Sequence, residues 1–126
     1  MRAVDTNVVL RMIVRDDESQ ADTADAFTEN GCWVPLLAVA ETVWALRKVY
    51  KQSAEQIAAA VGMLLDKKDL LLQDADVIEA ALAQFQSNPG VGFADCLMLE
   101  SARKAGHLPI GTFDRRLGAL EGAHRL

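Results

Sequence analysis

Arg2-Ala3-Val4-Asp5-Thr6-Asn7-Val8-Val9-Leu10-Arg11-Met12-Ile13 opens the chain and decides how the rest is read. A short apolar entry runs into Asp5-Thr6-Asn7, residue types that favour turns and helix N-caps. Val8, Val9, Met12 and Ile13 follow at i, i+1, i+4 and i+5, which is helical spacing. The reading is strand, turn, helix, with an acid at the carboxyl end of the strand.

The same alternation continues outward. Asp16, Asp17, Glu18 and Ser19 are cap-type residues before a helix over 21–28, which Asn30-Gly31 stops. Cys32-Trp33-Val34 before Pro35 reads as a brief strand. A helix over 36–50 follows, and Ser53 with Gln56 three residues on opens another through Ala58, Val61 and Leu65. Leu70–Leu72 is a third strand. Residues 74–85 are helical again, and Ser87-Asn88-Pro89-Gly90 breaks the chain. A helix from Phe93 to Ala105 ends at Gly106, residues 107–112 form a strand, and Arg125-Leu126 adds a final edge.

Strands alternating with helices predict an α/β protein, a three-layer α/β/α arrangement around a central, mostly parallel sheet of four or five strands. Ligands in such folds sit beyond the carboxyl ends of the strands. Asp5 and Asp114 each lie at one such end. Pro109 removes a ladder donor, so it suits an edge position or the first residues of its strand.

The chain has 126 residues, 51% of them apolar and 25% charged. It is expected to be a single domain, 1–126, burying roughly 70% of its unfolded surface. The stretch 3–14 is interrupted by Asp5, Asn7 and Arg11, so it is neither a signal peptide nor a membrane span, and a cytoplasmic location is expected. Cys32 and Cys96 lack metal or redox spacing and read as small core residues. His107 and His124 read as surface or cap residues. The net charge of -5 argues against a nucleic-acid binder. Setting four candidate site acids aside from the 18 leaves 14 against 13 bases, so the excess sits where cations would bind.

Asp5 and Asp114, each taken alone, are simply helix or turn caps. Glu41 and Asp95 are less easily explained. The helical neighbours of Glu41 are Leu37, Ala38, Trp44 and Ala45, so it is expected on a core face. Val91, Met98, Leu99 and Ala102 share the side of Asp95, while Glu100, Arg103, Lys104 and His107 form the solvent stripe. A buried carboxylate needs a cation, a proton or a hydrogen-bonding cage. If the four acids meet, each pair about 4 Å apart repels by roughly 4 kcal/mol at an effective dielectric of about 20. No Lys or Arg inside the apolar runs offsets this, whereas an oxygen-only ligand set suits Mg²⁺ or Mn²⁺ and phosphoryl chemistry.

Val4-Asp5-Thr6-Asn7-Val8-Val9-Leu10, Ala40-Glu41-Thr42-Val43-Trp44-Ala45-Leu46, Phe93-Ala94-Asp95-Cys96-Leu97 and Thr112-Phe113-Asp114-Arg115-Arg116-Leu117 together resemble the PIN-domain pattern in order and spacing. The resemblance covers almost the whole chain, and its last two motifs are similar to those of VapC toxins. It implies an endoribonuclease in which Asp5, Glu41, Asp95 and Asp114 hold one or two Mg²⁺ or Mn²⁺ ions, directly or through water. It also implies that Asn7 orients the first acid and that Thr112 helps place water or substrate. A homodimer and a small VapB-like antitoxin covering the acidic pocket are the implied partners, with RNA as substrate.

Arg115 and Arg116 adjoin a site acid and are candidate RNA-phosphate contacts. Arg11, Arg15, Arg47, Lys48 and Lys51 follow the other acids, though helix C-terminal dipoles also attract them. Trp33, Trp44 and Phe93 stand in apolar contexts and read as core. A dehalogenase-like phosphatase needs a second Asp where Asn7 stands, and a receiver domain needs acids where Ala3 and Val4 stand. The alternative of another class is a catalytically silent PIN-like module that binds RNA or protein; retention of all four acids with Asn7 and Thr112 argues against it.

Overall fold

The strands are short, and caps from outside the helices fix where each crossover begins. The computed structural model describes residues 1–126 and divides into two compact units, Met1–Ala75 and Asp76–Leu126.

In the first unit β1 (Arg2–Ala3), β2 (Cys32–Val34) and β3 (Leu70–Leu72) form a parallel sheet in that order. Cys32 is in register with Arg2 on one side and Leu70 on the other. Parallel neighbours require long crossovers. The helices α1 (Thr6–Ile13) and α2 (Glu18–Thr28) make the first, and α3 (Leu36–Lys48) and α4 (Ala54–Asp66) the second. α1 packs on α2 and α3 and buries Val9, Leu10 and Met12. Asp17 caps α2 by accepting from the Gln20 N–H. Ser53 and Gln56 form the expected reciprocal capping box of α4. Pro35 supplies no side-chain cap to α3; Gln73, just past β3, accepts the Leu36 N–H at 2.8 Å instead.

The second unit contains α5 (Ala75–Ser87, which begins at the last residue of the first unit), α6 (Phe93–Ala105) and two parallel strands, β4 (Ile110–Thr112) and β5 (Ala123–Arg125). Gly106, with φ 81, ends α6 in the left-handed conformation that glycine adopts without penalty. Phe85 and Phe93 meet edge to face with centroids 5.7 Å apart. Glu100 is 7% exposed and its charge is met by the Gln84 amide at 3.3 Å and the Arg103 Nε at 3.1 Å. The other end of the Arg103 guanidinium donates to the Glu121 carbonyl, tying α6 to the turn before β5.

Several expectations are corrected. The strands do not form one ladder of four or five; they are hydrogen-bonded as three plus two. Two or three residues per strand leave little ladder to share, and Pro109, just ahead of β4, has no N–H to extend it. Glu41 is exposed, because α3 turns Ala38, Val39, Thr42, Val43, Ala45 and Leu46 inward, and Asp95 is only half-buried. Glu100 is on the buried side of α6, whereas Met98 is exposed. Trp44 is not a core residue: it is 62% exposed. Trp33 is half-buried and Phe93 buried, while both histidines are exposed. Both cysteines are free and buried, and burial pushes the Cys96 thiol up to about 11.

Candidate functional site

Asp5 follows β1 directly and holds an extended backbone, φ -97 and ψ -177, which turns the chain into α1. Its Oδ1 accepts the Val8 N–H at 3.2 Å. The N-cap and site readings of Asp5 are therefore compatible: one oxygen starts the helix and Oδ2 has no protein donor. Thr6, the next residue, donates its hydroxyl to Glu41 Oε2 at 2.8 Å. This bond ties the first turn of α1 to the middle of α3 and leaves Glu41 Oε1 without a protein donor.

Thr6 is the residue that sequence reasoning missed. A threonine in a turn before a helix has a sufficient local explanation, and its partner lies 35 residues away. Asn7, by contrast, makes no side-chain hydrogen bond to Asp5. It lines, with Asp5, a cavity of about 580 Å³ whose apolar wall includes Val8, Ala24 and Phe27. A larger cavity, about 810 Å³, holds none of the candidate acids. Among its carboxylates, Asp25 is paired with Arg15 at 2.8 Å.

In the second unit Asp95 stands in the first turn of α6, with its Oδ2 beside Gly92, where a Cβ would meet it in ordinary contact at 3.5 Å. Burial, and after it the charge of Asp114, raises the Asp95 carboxyl above the ordinary aspartate value. No cation or hydrogen-bond donor offsets either effect.

Asp114 is fixed at both ends of its residue: its N–H donates to Thr112 Oγ1 at 2.9 Å, and its Oδ1 accepts the Leu117 N–H at 2.8 Å. Thr112 thus shapes the turn that presents Asp114. Arg116 donates to the Gly90 carbonyl at 3.1 Å, bracing the loop before α6, whereas Arg115 is exposed and has no ion pair.

The structure thus links Asp5 and Glu41 through Thr6 in one unit, and Asp95 with Asp114 in the other. No three His, Cys, Asp or Glu side chains are grouped closely enough to hold a metal ion. Each of the four candidates nevertheless keeps at least one carboxylate oxygen without a protein donor, and the set contains only oxygen. Such donors suit a hard divalent cation, Mg²⁺ or Mn²⁺. No helix is long and apolar enough to cross a membrane.

A family model described as PIN domain matches residues 2–123. Among curated proteins, none matches the chain.

Proposed function

Because the chain belongs to the PIN-domain family, whose members are typically metal-dependent ribonucleases, we propose that it is an Mg²⁺- or Mn²⁺-dependent endoribonuclease. The observation that carries this reading is the Asp95–Asp114 pair. A carboxyl that burial and a neighbouring acid both oppose ionising is a costly feature for a purely structural turn, and a cation removes both costs.

Asp5, Glu41, Asp95 and Asp114 are the proposed ligands of one or two ions, directly or through water. A divalent ion held by carboxylates supplies an activated water and offsets charge on the phosphate and leaving oxygen. The chain's own residues supply position. The Val8 N–H fixes Asp5, the Thr6 hydroxyl fixes Glu41, and the Leu117 N–H with Thr112 fixes Asp114. Arg115 is the better candidate for a phosphate contact, since Arg116 is already engaged.

The family match extends over both units, which supports reading residues 1–126 as one domain with the family's α/β/α layering. The resemblance of the last two motifs to VapC toxins supports the further reading of a cytoplasmic toxin, a homodimer held in check by a VapB-like antitoxin.

The test is cleavage of structured and unstructured RNAs by the purified chain in Mg²⁺, Mn²⁺ or EDTA, beside Asp5→Asn and Asp95→Asn. Metal-dependent cleavage absent from both variants supports the nuclease. Cleavage that survives EDTA or either substitution is contamination and withdraws it. Metal binding with no cleavage replaces it with the silent binding module.

A further inference from the structure

Leu37, Glu41, Trp44 and Lys48 recur at i, i+4, i+7 and i+11 along α3, so they share one side of the helix. All four are exposed. Leu37 is 69% and Trp44 62% exposed, the largest apolar surfaces on this helix. A helix that buries its opposite side so completely has no packing reason to leave an indole in water. The stripe therefore runs from an apolar patch through a candidate ligand to an aromatic and then a cation. Lys48 and the neighbouring Arg47 have no carboxylate partner.

We propose that this side of α3 is a track for single-stranded RNA, with a base stacked on Trp44 and a backbone phosphate held by Lys48. The inference rests on the nuclease reading only in taking Glu41 to stand near the cleaved phosphate. An exposed aromatic beside an unpaired cation is the combination that binds single strands without reading sequence. From Glu41 to Lys48 the helix rises about 10 Å, the length of roughly three stacked nucleotides at 3.4 Å each. A second copy of the chain fits less well. Laid antiparallel across the middle of the stripe, it would set Lys48 against Leu37 and Glu41 against Trp44, so that each charge loses water to an apolar side chain. In the other unit Phe113 is 83% exposed between Thr112 and Asp114, with Arg115 after it, so an aromatic and a cation flank a candidate acid there too.

The chain has two tryptophans, so Trp33→Phe leaves Trp44 as the reporter. Asp5→Asn is added to prevent hydrolysis, and an oligouridine is titrated in Mg²⁺ at several salt concentrations. Stacking predicts that the remaining fluorescence is quenched. The Trp44 variants lack that reporter, so their affinity is read from the anisotropy of a dye-labelled oligouridine: Trp44→Ala should weaken binding roughly tenfold, with Trp44→Phe retaining most of the affinity. Lys48→Ala should reduce the salt slope by about one. Trp44 and Lys48 are exposed, so their substitution removes no core contact, and circular dichroism checks the fold of every variant, Trp33→Phe and Asp5→Asn included.

Unchanged affinity and no quenching overturn the track. So does a dimer that Trp44→Ala converts to monomer in sedimentation while RNA affinity stays the same; that outcome assigns the stripe to a second copy. Wild-type cleavage whose KM ignores Trp44 removes the track and leaves the nuclease. Trp44-dependent binding by a chain that never cleaves removes the nuclease and keeps the track.

Discussion

The Thr6 hydroxyl donates to Glu41 Oε2 at 2.8 Å, and through that one bond the turn that presents Asp5 also fixes the rotamer of an acid on a different helix. Glu41 has three side-chain torsions and an exposed position, so without the bond its carboxylate would sample several directions. Thr6→Val keeps the branched shape and deletes the donor. Global stability should change by about 1 kcal/mol or less, because both groups reach water. RNA cleavage should fall about 10- to 100-fold, the range seen when a group orienting a metal ligand is lost. Thr6→Ser should restore most of it. Wild-type turnover by Thr6→Val, measured at saturating metal, would remove Thr6 from the site.

Asp95 is predicted to reduce stability in the absence of metal. Its carboxyl is raised by burial and then by Asp114, so the folded chain holds that proton more tightly than the unfolded chain does. Below the unfolded value both states are protonated and nothing is lost. As pH rises through the folded value the folded state must ionise against a barrier that the unfolded state does not meet, and the penalty is complete above it. Asp95→Asn should therefore raise the melting midpoint at neutral pH in EDTA by a few degrees, with the gain vanishing in acid. The same variant should lose cleavage, a stability–activity trade-off at one atom. A lower midpoint for Asp95→Asn at neutral pH in EDTA contradicts the argument.

Local signals in the sequence identified the elements correctly where the physics is local. Asp5, Asp17 and Ser53 bind N–H groups within three residues, and Gly106 closes its own helix. The phase of α3 was not legible. A helix with Leu37, Ala38, Val39, Val43, Trp44, Ala45 and Leu46 is apolar on every side, so periodicity cannot say which side faces the core. Glu41 reads as buried for that reason, and the structure places it in the open. On α6 the error runs the other way: Glu100 looked solvent-facing, but Gln84 and Arg103, one of them 16 residues distant, make its burial tolerable. Sheet membership failed for the same cause, since pairing partners lie far along the chain and strands of two or three residues carry little pattern. Order and spacing single out the four candidate acids; their environments had to be seen.

Glu100 and Arg103 should be worth more to stability than an ordinary surface pair. The side chain of Glu100 is 8% exposed and that of Arg103 38%, so solvent screens only one partner. Arg103→Met removes the guanidinium while keeping much of the stem's packing. It leaves a buried carboxylate with only the Gln84 amide and frees the Glu121 carbonyl, at a cost of about 1–3 kcal/mol. Because the lost contacts hold the turn before β5, amide exchange near residues 121–125 should accelerate first. A Glu100→Gln, Arg103→Met double variant should recover part of the loss, since no charge is then buried alone. Equal destabilisation by the single and double variants would show that the guanidinium contributes only its contact with Glu121.

Metal should reverse the sign of the Asp95 effect. An ion that binds only the folded chain stabilises it by about 2.7 kcal/mol at a hundred times its dissociation constant, a midpoint rise on the order of 10 °C for a domain of this size. Mg²⁺ or Mn²⁺ should thus raise the midpoint of the wild-type chain and do much less for Asp95→Asn or Asp114→Asn. Protons compete with the ion for Asp95, and its raised proton affinity means that competition starts at a higher pH than for an ordinary aspartate. The metal-induced rise should accordingly shrink on mild acidification, before most other carboxylates titrate. Asp25 provides the control. The hydrogen bond from Arg15 holds its carboxyl below the usual value, and it lines the cavity that lacks the candidate acids. Asp25→Asn should lower the midpoint slightly while leaving the metal-induced rise intact. A rise that persists in both Asp95→Asn and Asp114→Asn, or one that Asp25→Asn abolishes, would place the cation elsewhere on the chain.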